Sequence, residues 1–189
     1  MPGTPGDVAP LTPEYELTAV IPGDLCAVDA KAPEDYFTTV SSSDNAGRWK
    51  IVFFWPKDFT FVCPTEISAF GKLNSEFEDR DAVVYGVSTD TELAHFARRI
   101  QHEDLRILSI PMLAPDARRH EEGARDRASF IIDPTGVVQF AMVTAGSDGR
   151  SVDEVLRVLD ALQTDELCPC NWRKGIDTIN AGELMKAGV

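Results

Sequence analysis

A chain of 189 residues, 43% hydrophobic and 26% charged, is long enough for one domain with a substantial core. Its net charge of −13 argues against nucleic-acid phosphates and anionic membranes as partners. No stretch approaches the ~20 apolar residues of a membrane span, and the N-terminus lacks a basic region followed by an apolar one. A cytoplasmic location is the expectation, with the four cysteines reduced at rest and any disulfide catalytic rather than structural.

Residues 1–13 are rich in Pro and Gly and are expected to fray. Residues 15–20 alternate weakly and predict an edge strand. Cys26 follows a loop-like Pro22-Gly23-Asp24-Leu25 and reads as structural or incidental. Residues 35–40 suit a strand, and 41–47 a polar turn. The run Ile51-Val52-Phe53-Phe54-Trp55 predicts a buried central strand, which Pro56 ends because it has no N–H for the ladder. Ile67, Phe70, Leu73 and Phe77 then share one face of a helix over 65–79, with Pro64 suited to its first position.

A strand over 82–88 follows. Thr91 caps a helix whose apolar face is read as Leu93, Phe96 and Ile100. His95, His102 and His120 read as surface residues. Residues 107–113 form a short apolar segment interrupted by Pro111. Strands over 129–133 and 137–144, joined by Pro134-Thr135-Gly136, predict an antiparallel hairpin. Ser151 caps a strongly periodic helix with Val152, Val155, Leu156, Leu159 and Leu162 on its core face. This order of elements predicts an α/β fold with a mixed sheet. The expected division is a main domain over 1–164 and a tail over 165–189 carrying Cys168, Cys170 and Trp172.

The chemistry concentrates at Cys63. It is expected at the N-terminus of a helix, where first-turn N–H groups and the helix dipole favour negative charge, and the thiolate is the nucleophilic form of cysteine. Thr60, three residues earlier, can aim its hydroxyl at the same point. Taken alone, a buried cysteine at a strand–helix junction is more often structural. Here Pro56, Thr60 and Cys63 form the pattern Pro-x-x-x-Thr-x-x-Cys within Trp-Pro-Lys-Asp-Phe-Thr-Phe-Val-Cys-Pro-Thr-Glu-Ile. That string resembles the active-site signature of the peroxiredoxins, nearest to the bacterial alkyl hydroperoxide reductase type.

The resemblance covers nearly the whole chain and implies a thioredoxin-like fold and a thiol peroxidase acting on hydrogen peroxide and small organic hydroperoxides. It implies Cys63 as the nucleophile, Thr60 as a hydrogen-bond partner of the sulfur or the peroxide, and Pro56 as a shield against water. Arg127 precedes Ala128-Ser129-Phe130-Ile131-Ile132-Asp133-Pro134, similar to the family's Arg-x-Thr/Ser-Phe-Ile-x-Asp-Pro, so the catalytic arginine is carried onto Arg127. Glu66 either anchors that arginine or is simply an acid suited to a helix's first turn. The segment between Leu113 and Arg127 departs from the family pattern; it is shorter and has almost no apolar face.

Leu167-Cys168-Pro169-Cys170-Asn171-Trp172 resembles the family's Val/Leu-Cys-Pro-Ala-x-Trp. Cys168 falls on the resolving cysteine, with Cys170 in place of the alanine, as in an actinobacterial-type subgroup. The typical two-cysteine mechanism implies an intersubunit disulfide between Cys63 and Cys168, hence a homodimer, and by family analogy a ring of five or six dimers. A Cys-x-Cys pair is too tight for the usual structural zinc spacing, so no metal is expected. No flavin or nicotinamide motif appears, so no cofactor is expected, and electrons must come from a separate dithiol protein, thioredoxin-like or a Cys-x-x-Cys adaptor. A dithiol–disulfide oxidoreductase would need Cys-x-x-Cys where this chain has Cys-Pro-Thr-Glu. An oxidation-gated holdase or redox sensor on the same ring-forming scaffold is the alternative from another functional class.

Overall fold

The computed structural model describes residues 12–25, 32–115, 127–145 and 148–186. Cys26, His120 and most of the segment before Arg127 lie outside the described residues. The chain forms two compact units, Met1–Arg150 and Ser151–Val189.

The first unit is built on a seven-stranded mixed sheet. Its strands are β1 (Glu16–Val20), β2 (Phe37–Ser41), β3 (Trp49–Phe54), β4 (Ala82–Val87), β5 (Met112–Ala114), β6 (Arg127–Ile132) and β7 (Val138–Thr144). They lie in the order β2-β1-β5-β4-β3-β6-β7. β3 pairs in parallel with β4 and antiparallel with β6, and β4 pairs in parallel with β5. The β6–β7 hairpin is antiparallel, as its turn residues predict, with a register shift at Ile131/Ile132. β1 is not the edge strand its sequence suggests. It lies between β2 and β5, pairing antiparallel with both, and β2 takes the edge. A short strand's own residues carry no record of how many partners flank it.

The parallel pair β3 and β4 carries the core. Ile51 and Phe53 are buried on one face, and Phe53 stacks on Phe70 of α1 (Cys63–Lys72) at 4.0 Å between ring centroids. Gly86 on β4 lets Phe53 and Trp55 close over it, because a Cβ there would stand 2.9 Å from both rings. The helix expected over 65–79 is two helices. α1 ends at Leu73, which leaves helical geometry at φ −96°, ψ 8°, and α2 (Asn74–Glu78) follows at once.

α3 (Glu92–Gln101) is capped as expected, the Ala94 N–H donating to Thr91 Oγ1 at 3.3 Å. Its buried face, however, is His95 and Arg99, while Leu93 is exposed. His95 is therefore not a surface residue; His102 is half-buried. Arg99 is fully enclosed and donates to the carbonyls of Ile21, Gly23, Leu105, Arg106 and Leu108. Burial away from water lowers its pKa to about 10, below the usual arginine value, and it stays charged at neutral pH. α4 (Glu103–Arg106) follows α3 directly.

In the second unit, α5 (Val152–Gln163) buries Val152, Val155, Leu156 and Leu159, and the Glu154 N–H donates to its cap Ser151 Oγ at 3.2 Å. α6 (Ala181–Lys186) ends the described chain. Among the described residues no helix is long and apolar enough to cross a membrane.

Candidate active site

The central strand β3 delivers the chain into a loop over 55–62, and the loop delivers Cys63 as the first residue of α1. Pro64 stands one place further in, where its missing N–H still costs no helical bond. Pro56 stands half-buried at the first turn of the loop.

The loop is held against α3 and the turn before it by polar bonds. The Trp55 indole N–H donates to Asp58 Oδ1 at 2.9 Å, and His95 Nδ1 meets Asp58 Oδ2 at 2.6 Å. The other ring nitrogen of His95 meets the Leu113 carbonyl at 3.2 Å. The Asp58 N–H donates to Asp90 at 2.5 Å. Arg98 lies over the Phe59 ring at 5.4 Å and donates to the Thr60 carbonyl at 3.4 Å. Phe59 itself adopts φ 57°, a conformation uncommon outside glycine, which such a set of contacts must hold in place.

Cys63 is buried, at 1% exposure. Two side-chain donors converge on its sulfur: the Thr60 hydroxyl at 2.8 Å and Arg127 Nη1 at 3.2 Å. Arg127 is the first residue of β6 and is itself buried. Its guanidinium also donates to Glu66 Oε2, one turn into α1. Burial alone would lower the arginine's pKa. The hydrogen bond to Cys63 and the charge of Glu66 outweigh that and hold it above the usual value. Thus the structure brings together Thr60 from the loop, Cys63 and Glu66 from α1, and Arg127 from β6, far along the sequence.

Arg150 is the residue that sequence reasoning missed. Its backbone N–H and Nε both donate to Glu66 Oε1, at 2.8 and 2.9 Å, and its Nη1 donates to the Ala128 carbonyl at 2.6 Å and Ser129 Oγ at 3.1 Å. The guanidinium lies over the Phe53 ring, 5.4 Å from its centre. Its position just ahead of the Ser151 cap was the one available signal, since an arginine there runs against the preference for acids at a helix start. Two guanidiniums against one carboxylate leave a net positive charge in a buried cluster. Negative charge arising at the sulfur, or on an oxygen beside it, balances that cluster.

Cys168 and Cys170 both lie in the second unit as free thiols, Cys168 half-buried and Cys170 exposed. Among the described residues no cluster of His, Cys, Asp and Glu has the makings of a metal site.

Residues 24–141 match the AhpC/TSA family. Alkyl hydroperoxide reductase C of Mycolicibacterium smegmatis is 63% identical over 185 residues, covering 94% of this chain and 95% of the relative. The solved structure of Mycobacterium bovis AhpC superposes with a TM-score of 0.79 at 58% identity, over 88% of this chain and 97% of that one. The reduced 2-Cys peroxiredoxin of Plasmodium vivax gives a TM-score of 0.76 at 28% identity, over 96% of this chain and 100% of that one. The mixed seven-stranded sheet with flanking helices is thus the thioredoxin-like fold expected from the sequence. With this fold, a buried cysteine between a threonine hydroxyl and an arginine, and matches along most of its length, the chain belongs to the AhpC/TSA family of peroxiredoxins.

Proposed function

We propose that this chain is a thiol-dependent peroxidase that reduces hydrogen peroxide and small organic hydroperoxides. The observation that carries the reading is the convergence of Thr60 Oγ1 and Arg127 Nη1 on Cys63 Sγ. The Cys63 thiolate attacks one peroxide oxygen, the O–O bond breaks, and the other oxygen leaves as alkoxide or hydroxide and takes up a proton. Arg127 faces the negative charge that moves from sulfur to the leaving oxygen, and such fixed donors are most effective where water is excluded. Thr60 orients the sulfur or the bound peroxide, and Pro56 limits access of water. Glu66 holds Arg127 in place, with Arg150 behind it.

Cys63 is left as a sulfenic acid, which condenses with a second thiol, releasing water. Cys168 of a second copy supplies that thiol, and Cys170 passes the disulfide onward. Residues 1–164 thus carry the peroxide chemistry, and residues 165–189 the resolving step. A separate dithiol protein, thioredoxin-like or a Cys-x-x-Cys adaptor, restores the thiols. The working form is a homodimer, assembling into a ring of five or six dimers, in the cytoplasm.

Steady-state consumption of hydrogen peroxide and of a small organic hydroperoxide, with several dithiol reductants, tests the reading. Turnover is expected with at least one reductant and is expected to vanish in Cys63→Ser. Turnover undiminished in Cys63→Ser overturns it.

A further inference from the structure

The sheet of the first unit has two apolar faces. β3 turns Ile51 and Phe53 towards α1, where Phe53 stacks on Phe70. Its alternate residues Lys50, Val52 and Phe54 therefore stand on the other face. Pairing sets Ile132 and Phe130 of β6 opposite Lys50 and Val52, and Val138 of β7 opposite Ile132. Val83 and Tyr85 of β4 continue this second face on the far side of β3.

A cavity of about 300 Å³ lies on the second face, with Pro13, Val52, Phe54, Phe130, Ile132 and Val138 in its lining. That is the lower end of the range usual for small-molecule sites. Phe54 and Phe130 meet edge to face there, 5.9 Å between ring centroids. Thr12 stands at the rim, but its N–H and its hydroxyl both donate to the Gly136 carbonyl, at 3.0 and 3.1 Å. The stretch 116–126 has little to lay over this face, since Ala117 and Ala124 are its apolar residues.

Lys50 gives the cavity a chemical preference. It is 8% exposed, and among the described residues it forms no hydrogen bond or ion pair. Lysine is rarely so buried without a partner, because a charge taken out of water needs one. The carboxylate at this end of β6, Asp133, is occupied by Thr135, Val137 and Gln139. Opposite Ile132 and two residues from Val52, Lys50 has an arm long enough to bring its ammonium to the edge of the cavity.

We propose that this face binds an amphipathic carboxylate, a medium-chain fatty acid, with its chain against Phe54, Phe130 and Val138 and its carboxylate on Lys50. A net charge of −13 repels such anions over most of the surface. An unpaired buried cation beside an apolar cavity therefore decides where one settles. The site is separate from Cys63, which α1 carries on the opposite face. Binding there draws on none of the peroxide chemistry.

The test is isothermal titration calorimetry of the full-length reduced protein with decanoate, and with decanol as its uncharged counterpart. A hydrogen bond to a charged group is worth about tenfold or more in affinity, so wild type is expected to favour decanoate over decanol by that factor. Lys50→Gln is expected to lose the preference and Lys50→Arg to keep it, with decanol binding alike in all three. Val138→Trp, which fills the cavity from an edge strand, is expected to abolish binding of both. Cys63→Ser is expected to bind decanoate as wild type does. Far-UV circular dichroism checks that each variant is folded, and the decanoate–decanol comparison in wild type needs no variant at all. No decanoate binding by wild type overturns the proposal, as when another part of the chain or a second copy fills the cavity. Binding unchanged in Val138→Trp also overturns it, since the ligand then sits elsewhere. Equal affinity of wild type for decanoate and decanol overturns it too, leaving Lys50 no part in recognition.

Discussion

Arg150 grips Glu66 along three bonds: from its backbone N–H at 2.8 Å, from Nε at 2.9 Å and from Nη2 at 3.4 Å. The same guanidinium reaches back to Ala128 and Ser129 on β6, the strand that begins with Arg127. Arg150 therefore fixes both ends of the Glu66–Arg127 contact. Arg150→Met leaves Glu66 paired with Arg127 but strips buried acceptors on Glu66 and Ala128 of a donor, so it is expected to lower stability by about 1–3 kcal/mol, and Arg150→Lys by less. In Arg150→Lys, first-turnover peroxide reduction is expected to slow by about tenfold or more, as Glu66 loses part of its support. Thermal unfolding and stopped-flow peroxide reduction measure the two effects; a wild-type rate in Arg150→Lys would remove Arg150 from the site.

Thr60 and Arg127 are separable by substitution. Thr60→Val keeps the shape and deletes the donor on Cys63, whereas Thr60→Ser keeps the hydroxyl. Removing one donor aimed at developing charge typically costs about 10²–10³ in rate. Thr60→Val and Arg127→Ala are both expected to lose activity on that scale in the peroxide-consuming step, with Thr60→Ser close to wild type. Equal loss in Thr60→Ser and Thr60→Val would assign the residue to packing.

Asp133, in the turn between β6 and β7, is ringed by donors. Thr135 N–H and hydroxyl and the Val137 N–H donate to Oδ1 at 2.8, 2.6 and 3.0 Å, and the Gln139 amide donates to Oδ2 at 2.6 Å. Burial would raise its pKa, but these bonds win and hold it below the ordinary carboxylate value. A folded pKa below the unfolded one means that the stability from Asp133 is fully present above the unfolded value and is lost as pH falls through the folded one. Asp133→Asn is expected to lower the melting temperature at neutral pH and to flatten its fall in acid. Parallel curves for the two proteins across the acid limb would contradict this.

A non-reducing gel tests the proposed division of roles between the two tail cysteines. After one equivalent of peroxide, Cys170→Ser is expected to run as a disulfide-linked dimer, with slower turnover against a protein reductant. Cys168→Ser is expected to form that dimer slowly or not at all. Pro169 stiffens the link between the two thiols, so a direct bridge would be strained and readily passed on. The opposite pattern on the gel would exchange the two assignments.

Much of the candidate site is legible because it is local. A strand stopped by Pro56, a cysteine at the next helix start and a hydroxyl three residues before it lie within one loop, and chain geometry alone brings Thr60 to Cys63. The β6–β7 hairpin is legible for the same reason, its turn chemistry lying between its two strands. Arg127 was reached through a family string rather than through any physical rule.

Tertiary structure decided what depends on remote partners. The position of β1 inside the sheet follows from pairing with β5, far along the chain. The buried face of α3 was misread because periodicity counts His95 and Arg99 as polar and turns them outward. Their polarity is met inside, by the Asp58 carboxylate for His95 and by backbone carbonyls for Arg99. Arg150 shows the same limit within the site. A buried cation is stable only where its partners already wait, and Glu66, Ala128 and Ser129 come together only when α1 and β6 are folded against the residue that joins them.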